Sequence, residues 1–194
     1  MEMNGRTIFM ATGSPFIDLD LLLISAGVKS TRSDIEMEMT EPVFEIAERR
    51  DIDLLLEMMR EYYAHDGLSF ETDAARSAME CLVTDRSLGR VWVIRAGREA
   101  IGYVAMTLGY SLEYHGKDAF IDEIYIRASH RGQGIGERAV RFVEDACRET
   151  GVRALHLEVE RANTLAQSFY RRIGFEDHHR YMMTRMISQT DRIT

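Results

Sequence analysis

The run "HRGQGIG", residues 130–136, places Gly132, Gly134 and Gly136 at alternate positions immediately ahead of a strongly helical pattern. Glycines this dense destabilise a helix interior, but a glycine-rich turn between strand and helix leaves backbone N–H groups bare at the helix N-terminus. The aligned peptide dipoles favour an anion there, and Arg131 can add a charge-assisted bond. The stretch therefore reads as a cradle for a phosphate or pyrophosphate. Taken alone, the same glycines also suit a turn that merely starts a helix. Other phosphate motifs fit less well. No GxxxxGK[ST] string occurs, and a dinucleotide fingerprint needs GxGxxG after the first strand of a βαβ unit.

A second group of residues follows in "NTLAQSFYRRIGF", residues 163–175. Asn163 and Tyr170 are separated by two helical turns and lie about 20° apart on one face. Thr164 and Gln167 read as a capping-box pair, which leaves the Asn163 amide for another duty, while Leu165, Phe169 and Ile173 read as the packing face. A tyrosine at position 170 also suits the edge of a core. Upstream, Asp122 and Glu123 are adjacent on a strand, so strict alternation turns only one of them toward a given face. Glu158 and Glu160 follow on the next strand and are candidates for the same cleft. His156 reads as structural, and His178 and His179 lack metal-ligand spacing, so no metal is expected.

The elements that must position these groups are legible from periodicity. Residues 43–47 alternate as a first strand, and 51–64 bring Leu55, Met58, Met59 and Tyr62 to helical spacing behind Asp51. A second helix is expected over 72–84. Two strands, "RVWVIRAG" and "AIGYVAMTL", form a hairpin. After a loop, "GYSLEYHGKD", comes the strand "AFIDEIYI". A helix over 135–150 carries Ile135, Ala139, Phe142, Val143 and Ala146 on one face and stops at Gly151. "ALHLEVE" alternates as a strand, a short helix covers 164–173, and "FEDHHRYMMTRMI" supplies last-strand material. The order predicts an α+β (mixed α/β) domain with one sheet and helices on its faces. Cys81 and Cys147 read as small core residues rather than a disulfide or metal pair.

The chain has 194 residues, enough for one domain with a substantial core, and a formal net charge of -8. That charge argues against non-specific binding to nucleic acid or an anionic membrane. The apolar run from Leu21 is far short of a membrane span, and the setting expected is reducing and cytoplasmic. Residues 1–39 are weakly patterned and read as an N-terminal extension, 40–188 as the domain, and 189–194 as a short tail.

Together the motifs resemble the GNAT superfamily of N-acetyltransferases, which use acetyl-coenzyme A. The resemblance rests on a strand ending "DEIYIR", on "RGQGIG" fitting the family loop [Q/R]xxGx[G/A], and on the spacing within "LEVERANTLAQSFYRRIGF"; it covers roughly residues 43–186. It implies a single domain with a central, mostly antiparallel, splayed sheet flanked by helices. It further implies that Arg131, Gly132, Gln133, Gly134, Ile135 and Gly136 hold the pyrophosphate. Ile124, Tyr125 and Ile126 would pair with the pantetheine arm, and Asn163, Ala166 and Tyr170 would contact the cofactor. Tyr170 matches the tyrosine that protonates the departing thiolate. Ala128 stands where the family often has proline, a departure that touches only the turn.

The implied activity is direct acetyl transfer from acetyl-CoA to a primary amine, with a small cationic amine as acceptor. Amines near pKa 10 arrive protonated, so a base is required. Asp122 matches the glutamate position of spermidine/spermine acetyltransferases, and Glu123 is the rival base, acting through water. The acids Glu57, Glu61, Asp66, Glu71 and Asp73, with the loop 110–117, correspond to the variable acceptor surface. The alternatives are an acetyl-CoA sensor or scaffold without turnover, and an acetyltransferase of protein N-termini or lysines. The expected partner is thus a small-molecule amine, with neither nucleic acid nor membrane; a homodimer stays open.

Overall fold

The structure, a computed structural model, describes residues 41–187. The expected extension 1–39 and tail 189–194 lie outside the described residues. Five strands form one sheet in the order β1-β2-β3-β4-β5: β1 Val43–Ile46, β2 Gly89–Ala96, β3 Glu99–Ser111, β4 Gly116–Ile126 and β5 Ala154–His156. Neighbours from β1 to β4 run antiparallel, and β5 runs parallel to β4. The helices are α1 Ile52–Asp66, α2 Thr72–Thr84, α3 Ile135–Thr150 and α4 Thr164–Arg172.

Each face of the sheet has its own core. Leu55, Met58 and Tyr62, spaced three and four residues apart along α1, meet Val91, Val93, Tyr103 and Tyr125 on one face. On the other, Ala139, Val140 and Val143 of α3 and Ala166 and Tyr170 of α4 pack on Ile94, Ile101, Val104 and Ile124. Burying a side chain such as Leu55 or Ile94 contributes about 1.5–3 kcal/mol relative to its exposure. These two layers therefore clamp β4, the strand that carries the acidic pair.

Strand β4 is not regular. Ala105 pairs with Glu123 while Met106 pairs with Ile121, so the ladder passes over Asp122 as a β-bulge. Ile121 and Ile124, three residues apart, consequently pack into the same core. The expectation that Asp122 and Glu123 must face opposite sides by alternation does not apply, because an inserted residue breaks the period of two and bends the strand. Pairing with β5 extends only from Asp118 to Phe120, just before the bulge. Beyond it, β4 and the segment after His156 diverge.

Several expectations need correction. The strand read from "ALHLEVE" closes at His156, although Leu155, Leu157 and Val159 all pack against the core as anticipated. Residues 175–187 form no strand; they run past α4 with Met183 and Tyr181 exposed, tethered by Arg171 to Asp177 and Arg180 to Glu113. The expected loop 110–117 shrinks to a turn, because β3 continues to Ser111 and β4 begins at Gly116. Cys147 is buried, but Cys81 is exposed. Among the described residues no helix is long and apolar enough to cross a membrane.

Candidate active site

The divergence of β4 and β5 is the first component of the site. From Ile121 to Ile126 the outer edge of β4 has no ladder partner among the described residues, so its N–H and C=O groups are available to an extended ligand. Ile124 and Ile126 line a groove of about 230 Å³ that continues to Arg131, Gly132, Gly134 and Ile135. The Tyr125 side chain points to the other face of the sheet. Its hydroxyl donates to Oε2 of Glu61 at 2.9 Å, and burial, with that bond, pushes the phenol pKa up to about 12.

At the end of the groove, Gly132 and Gly134 both adopt φ of +76°, the left-handed region that side chains disfavour. A Cβ at either position would meet no atom within 4 Å, so the space over the turn is open. Gly134 begins α3 without any side-chain cap, and the first N–H groups of the helix, at Ile135 and Gly136, have no intrahelical acceptor. An open, left-handed turn ahead of uncapped helix N–H groups is a geometry that suits an anion. Arg131 is partly committed, since its Nε donates to the Ile126 carbonyl at 2.7 Å and its guanidinium lies 5.7 Å from the Tyr125 ring centre. Gln133 turns its amide back to the Ser129 carbonyl, leaving its backbone to the turn.

Helix α4 brings the second group to the same gap, with one correction. Asn163 itself caps the helix, its Oδ1 accepting from the Ala166 N–H at 3.0 Å. Thr164 and Gln167 form no capping box; Gln167 instead donates to the carbonyls of Glu160 and Arg161. The Asn163 amide nitrogen is buried with no hydrogen-bond partner among the described residues. The buried face of α4 is Ala166 and Tyr170, whereas Leu165, expected to pack, is exposed. Tyr170 is only 2% exposed, edge-on to Phe169 and Phe175, and its hydroxyl has no hydrogen-bond partner among the described residues. Burial pushes its phenol pKa well above the usual value. A buried donor without an acceptor is costly, and a ligand atom is the natural partner.

The acidic residues divide by their partners. Glu123 is buried and receives the Tyr63 hydroxyl on Oε1 and the Tyr103 hydroxyl on Oε2, both at 2.8 Å. Asp122 occupies the bulge beside it. Glu57 and Glu61, candidates for an acceptor surface, are engaged by Arg127, whose Nη2 reaches them at 2.7 and 2.9 Å. Arg127 also donates to the Ala100 carbonyl, so this cluster ties α1 to the end of β4. Glu71 and Asp73 lie exposed at the start of α2, away from these partners. Asp66, at the end of α1, is different: both carboxylate oxygens are inaccessible, and burial raises its pKa while the Tyr62 hydroxyl acts to lower it.

The clamp on Glu123 was not foreseen. Tyr103 pairs directly with Tyr125 across β3 and β4, and tyrosines spaced this way on neighbouring strands were its only signal. Tyr62 belongs to the same surroundings. Burial pushes its phenol far up, with Asp66, Glu123, Tyr63 and Tyr170 adding to the effect. Tyr62 belongs to the core on one face of the sheet and Tyr170 to the core on the other. Among the described residues no group of three His, Cys, Asp or Glu could hold a metal ion.

The acetyltransferase (GNAT) family profile matches residues 53–175. Thialysine N-epsilon-acetyltransferase of Bos taurus is 25% identical over 148 residues, covering 68% of this chain and 82% of that protein. An integron cassette protein from the mobile metagenome of Cole Harbour Salt Marsh is 34% identical, with a TM-score of 0.67 over 75% of this chain and 90% of that one. An aminoglycoside N-acetyltransferase solved in complex with CoA shares the fold at 16% identity, with a TM-score of 0.65 over 75% of this chain and 95% of that one. Matched through the glycine turn and helix α4 alike, the chain belongs to the GNAT family and is an acetyl-CoA-dependent N-acetyltransferase.

Proposed function

We propose that the protein transfers acetyl directly from acetyl-CoA to the primary amine of a small cationic molecule. The observation that carries this reading is the Tyr170 hydroxyl, buried in the same core as Ile124 of β4 and, among the described residues, without a hydrogen-bond partner. The residues present fit coenzyme A. The open, left-handed turn at Gly132 and Gly134 and the uncapped start of α3 suit its pyrophosphate, and the free edge at Ile124, Tyr125 and Ile126 suits the amides of its pantetheine arm. The buried amide nitrogen of Asn163, next to Ala166, offers a further donor. Acetyl-CoA supplies an activated acyl group whose leaving thiolate needs a proton.

Tyr170 is the group to supply that proton, because burial keeps its hydroxyl neutral at physiological pH. The two tyrosine bonds orient Glu123 as an acceptor for a proton relayed through water from the amine; Asp122, in the bulge, is the direct rival. Thialysine and aminoglycosides, named in the relatives, carry amines on small polar frames, and the chain's net charge of -8 suits such cations. Thiol release from acetyl-CoA, screened against polyamines, aminoglycosides, amino acids and lysine peptides, tests the reading. Turnover confined to peptides would contradict the small-amine acceptor, and acetyl-CoA binding without turnover on any amine would contradict the enzyme reading.

A further inference from the structure

The two donors on Glu123 are not held equally. Tyr103 is completely buried on β3, so the surrounding core fixes its hydroxyl on Oε2. Tyr63 is only half-buried, and its bond to Oε1 depends on where its ring is kept. Two aromatic rings meet that ring edge-on. Tyr62, at 5.5 Å between ring centres, belongs to the core beneath α1. Phe70, at 5.6 Å and an interplanar angle of 89°, belongs to neither hydrophobic core; it stands in the connection between α1 and α2, residues 67–71.

The connection returns Phe70 to the turn of the helix that carries Tyr63. Gly67 ends α1 in the left-handed region, with φ of +66°, and the N–H groups of Gly67 and Leu68 both reach the Tyr63 carbonyl, Leu68 at 2.9 Å. Arg60, three residues before Tyr63, places its guanidinium 4.9 Å from the Phe70 ring centre and holds the ring on the helix. Contacts thus run without a break from Arg60 through Phe70 and Tyr63 to Glu123 and Tyr103. An edge-on pair of rings has a preferred geometry, so Phe70 selects the tilt of Tyr63. That tilt decides whether the hydroxyl meets Oε1 at hydrogen-bonding distance.

We propose that Phe70 is a positioning residue for the Glu123 carboxylate, acting through Tyr63 from the connection between the first two helices. Its part in catalysis rests on the acetyltransferase reading above, in which Glu123 takes the proton of the amine through water; its hold on the carboxylate does not. A proton acceptor displaced by a fraction of an ångström loses much of its effect, so a ring that never touches the reacting atoms still governs the rate.

The test is a cycle of Phe70→Leu, Tyr63→Phe and the double variant, with Phe70→Tyr as the conservative control. In the CoA complex of each, the Glu123 carboxyl is titrated through its carbon NMR signal, assigned with Glu123→Gln. Tyr63→Phe should move the titration midpoint upward, because a donor to the charged form is lost. Phe70→Leu should move it in the same direction, and Phe70→Tyr, which keeps the ring, should leave it at the wild-type value. In the Tyr63→Phe background, Phe70→Leu should add nothing. With thialysine as the amine, kcat should fall about tenfold in Phe70→Leu while KM for acetyl-CoA holds. An unchanged midpoint in Phe70→Leu, or shifts that add in the double variant, would overturn the proposal. So would a loss of kcat without a shift in the midpoint, since Phe70 would then act on the acceptor rather than on Glu123. Absence of turnover by the wild type on any amine would contradict the acetyltransferase reading, and the titration would still decide whether Phe70 holds the carboxylate.

Discussion

Tyr103 of β3 donates its hydroxyl to Oε2 of Glu123 on β4 at 2.8 Å, inside the layer covered by α1. With Tyr63 on the other oxygen, the carboxylate is fixed in orientation rather than free to rotate. Tyr103→Phe removes one donor from a buried acid without changing the volume of the ring. It should cost about 1–3 kcal/mol of stability, and turnover should fall with it if Glu123 relays the substrate proton. Chemical denaturation and kcat measured on the same preparation check both effects.

Arg127 holds Glu57, Glu61 and the Ala100 carbonyl at once, using a planar fork that a lysine cannot reproduce. Arg127→Lys should lower the melting temperature by roughly 2–4 °C, the scale of about 1 kcal/mol in a domain of this size. The shift should shrink in high salt, because Glu57 is solvent-exposed and screened.

Asn163 has two roles that substitution can separate. Asn163→Ala loses the cap on the Ala166 N–H and should destabilise by about 1 kcal/mol. Asn163→Asp keeps the capping oxygen but replaces the buried amide donor with a carboxylate oxygen, so KM for acetyl-CoA should rise. Equal KM values for Asn163→Asp and the wild type would remove this residue from the cofactor site.

Much of this was readable in the sequence because periodicity and turn chemistry agree with the fold. The four helices fall where the sequence pattern places them, though α4 turns Ala166 and Tyr170 inward rather than Leu165, and "RGQGIG" becomes the left-handed turn that starts α3. What escaped the sequence depends on neighbours. The bulge at Asp122 arises from pairing with β3, and no local residue type announces it. "NTLAQ" offers both Asn163 and Thr164 as caps, and only the path of the chain out of residues 157–162 selects Asn163. "YMMTRMI" has the composition of a strand but no ladder partner, and apolar composition without a partner does not make one.

Asp66 also leaves a signature in the pH dependence of stability. Its pKa is raised on folding, so the folded protein holds the proton more tightly than the unfolded chain. Its contribution is therefore unfavourable and grows as pH rises above the ordinary carboxyl value of 3.8. Asp66→Asn should gain stability relative to the wild type across that rise and match it most closely in acid. A difference that is constant with pH would show that Asp66 titrates normally. His65, Glu160, Arg131 and Tyr62 are the neighbours whose charges share this window.

Gly134 tests the cradle directly. At φ of +76° any side chain is strained, and Gly134→Ala should cost about 1 kcal/mol, but no protein atom blocks the added methyl. A fall in CoA affinity well beyond that stability loss is expected, because the methyl enters the space where backbone must approach phosphate. Unchanged CoA affinity by calorimetry would place the pyrophosphate elsewhere.

The central claim is that Tyr170 donates the proton to the leaving thiolate, and Tyr170→Phe measures it most directly. The ring stays packed against Phe169 and Phe175, and the hydroxyl that is lost has no hydrogen-bond partner among the described residues, so the melting temperature should not fall. With an acceptor in hand, kcat should drop by about 100-fold or more, the scale of general acid catalysis, while KM for acetyl-CoA stays near the wild-type value. Turnover by Tyr170→Phe close to that of the wild type would contradict the account.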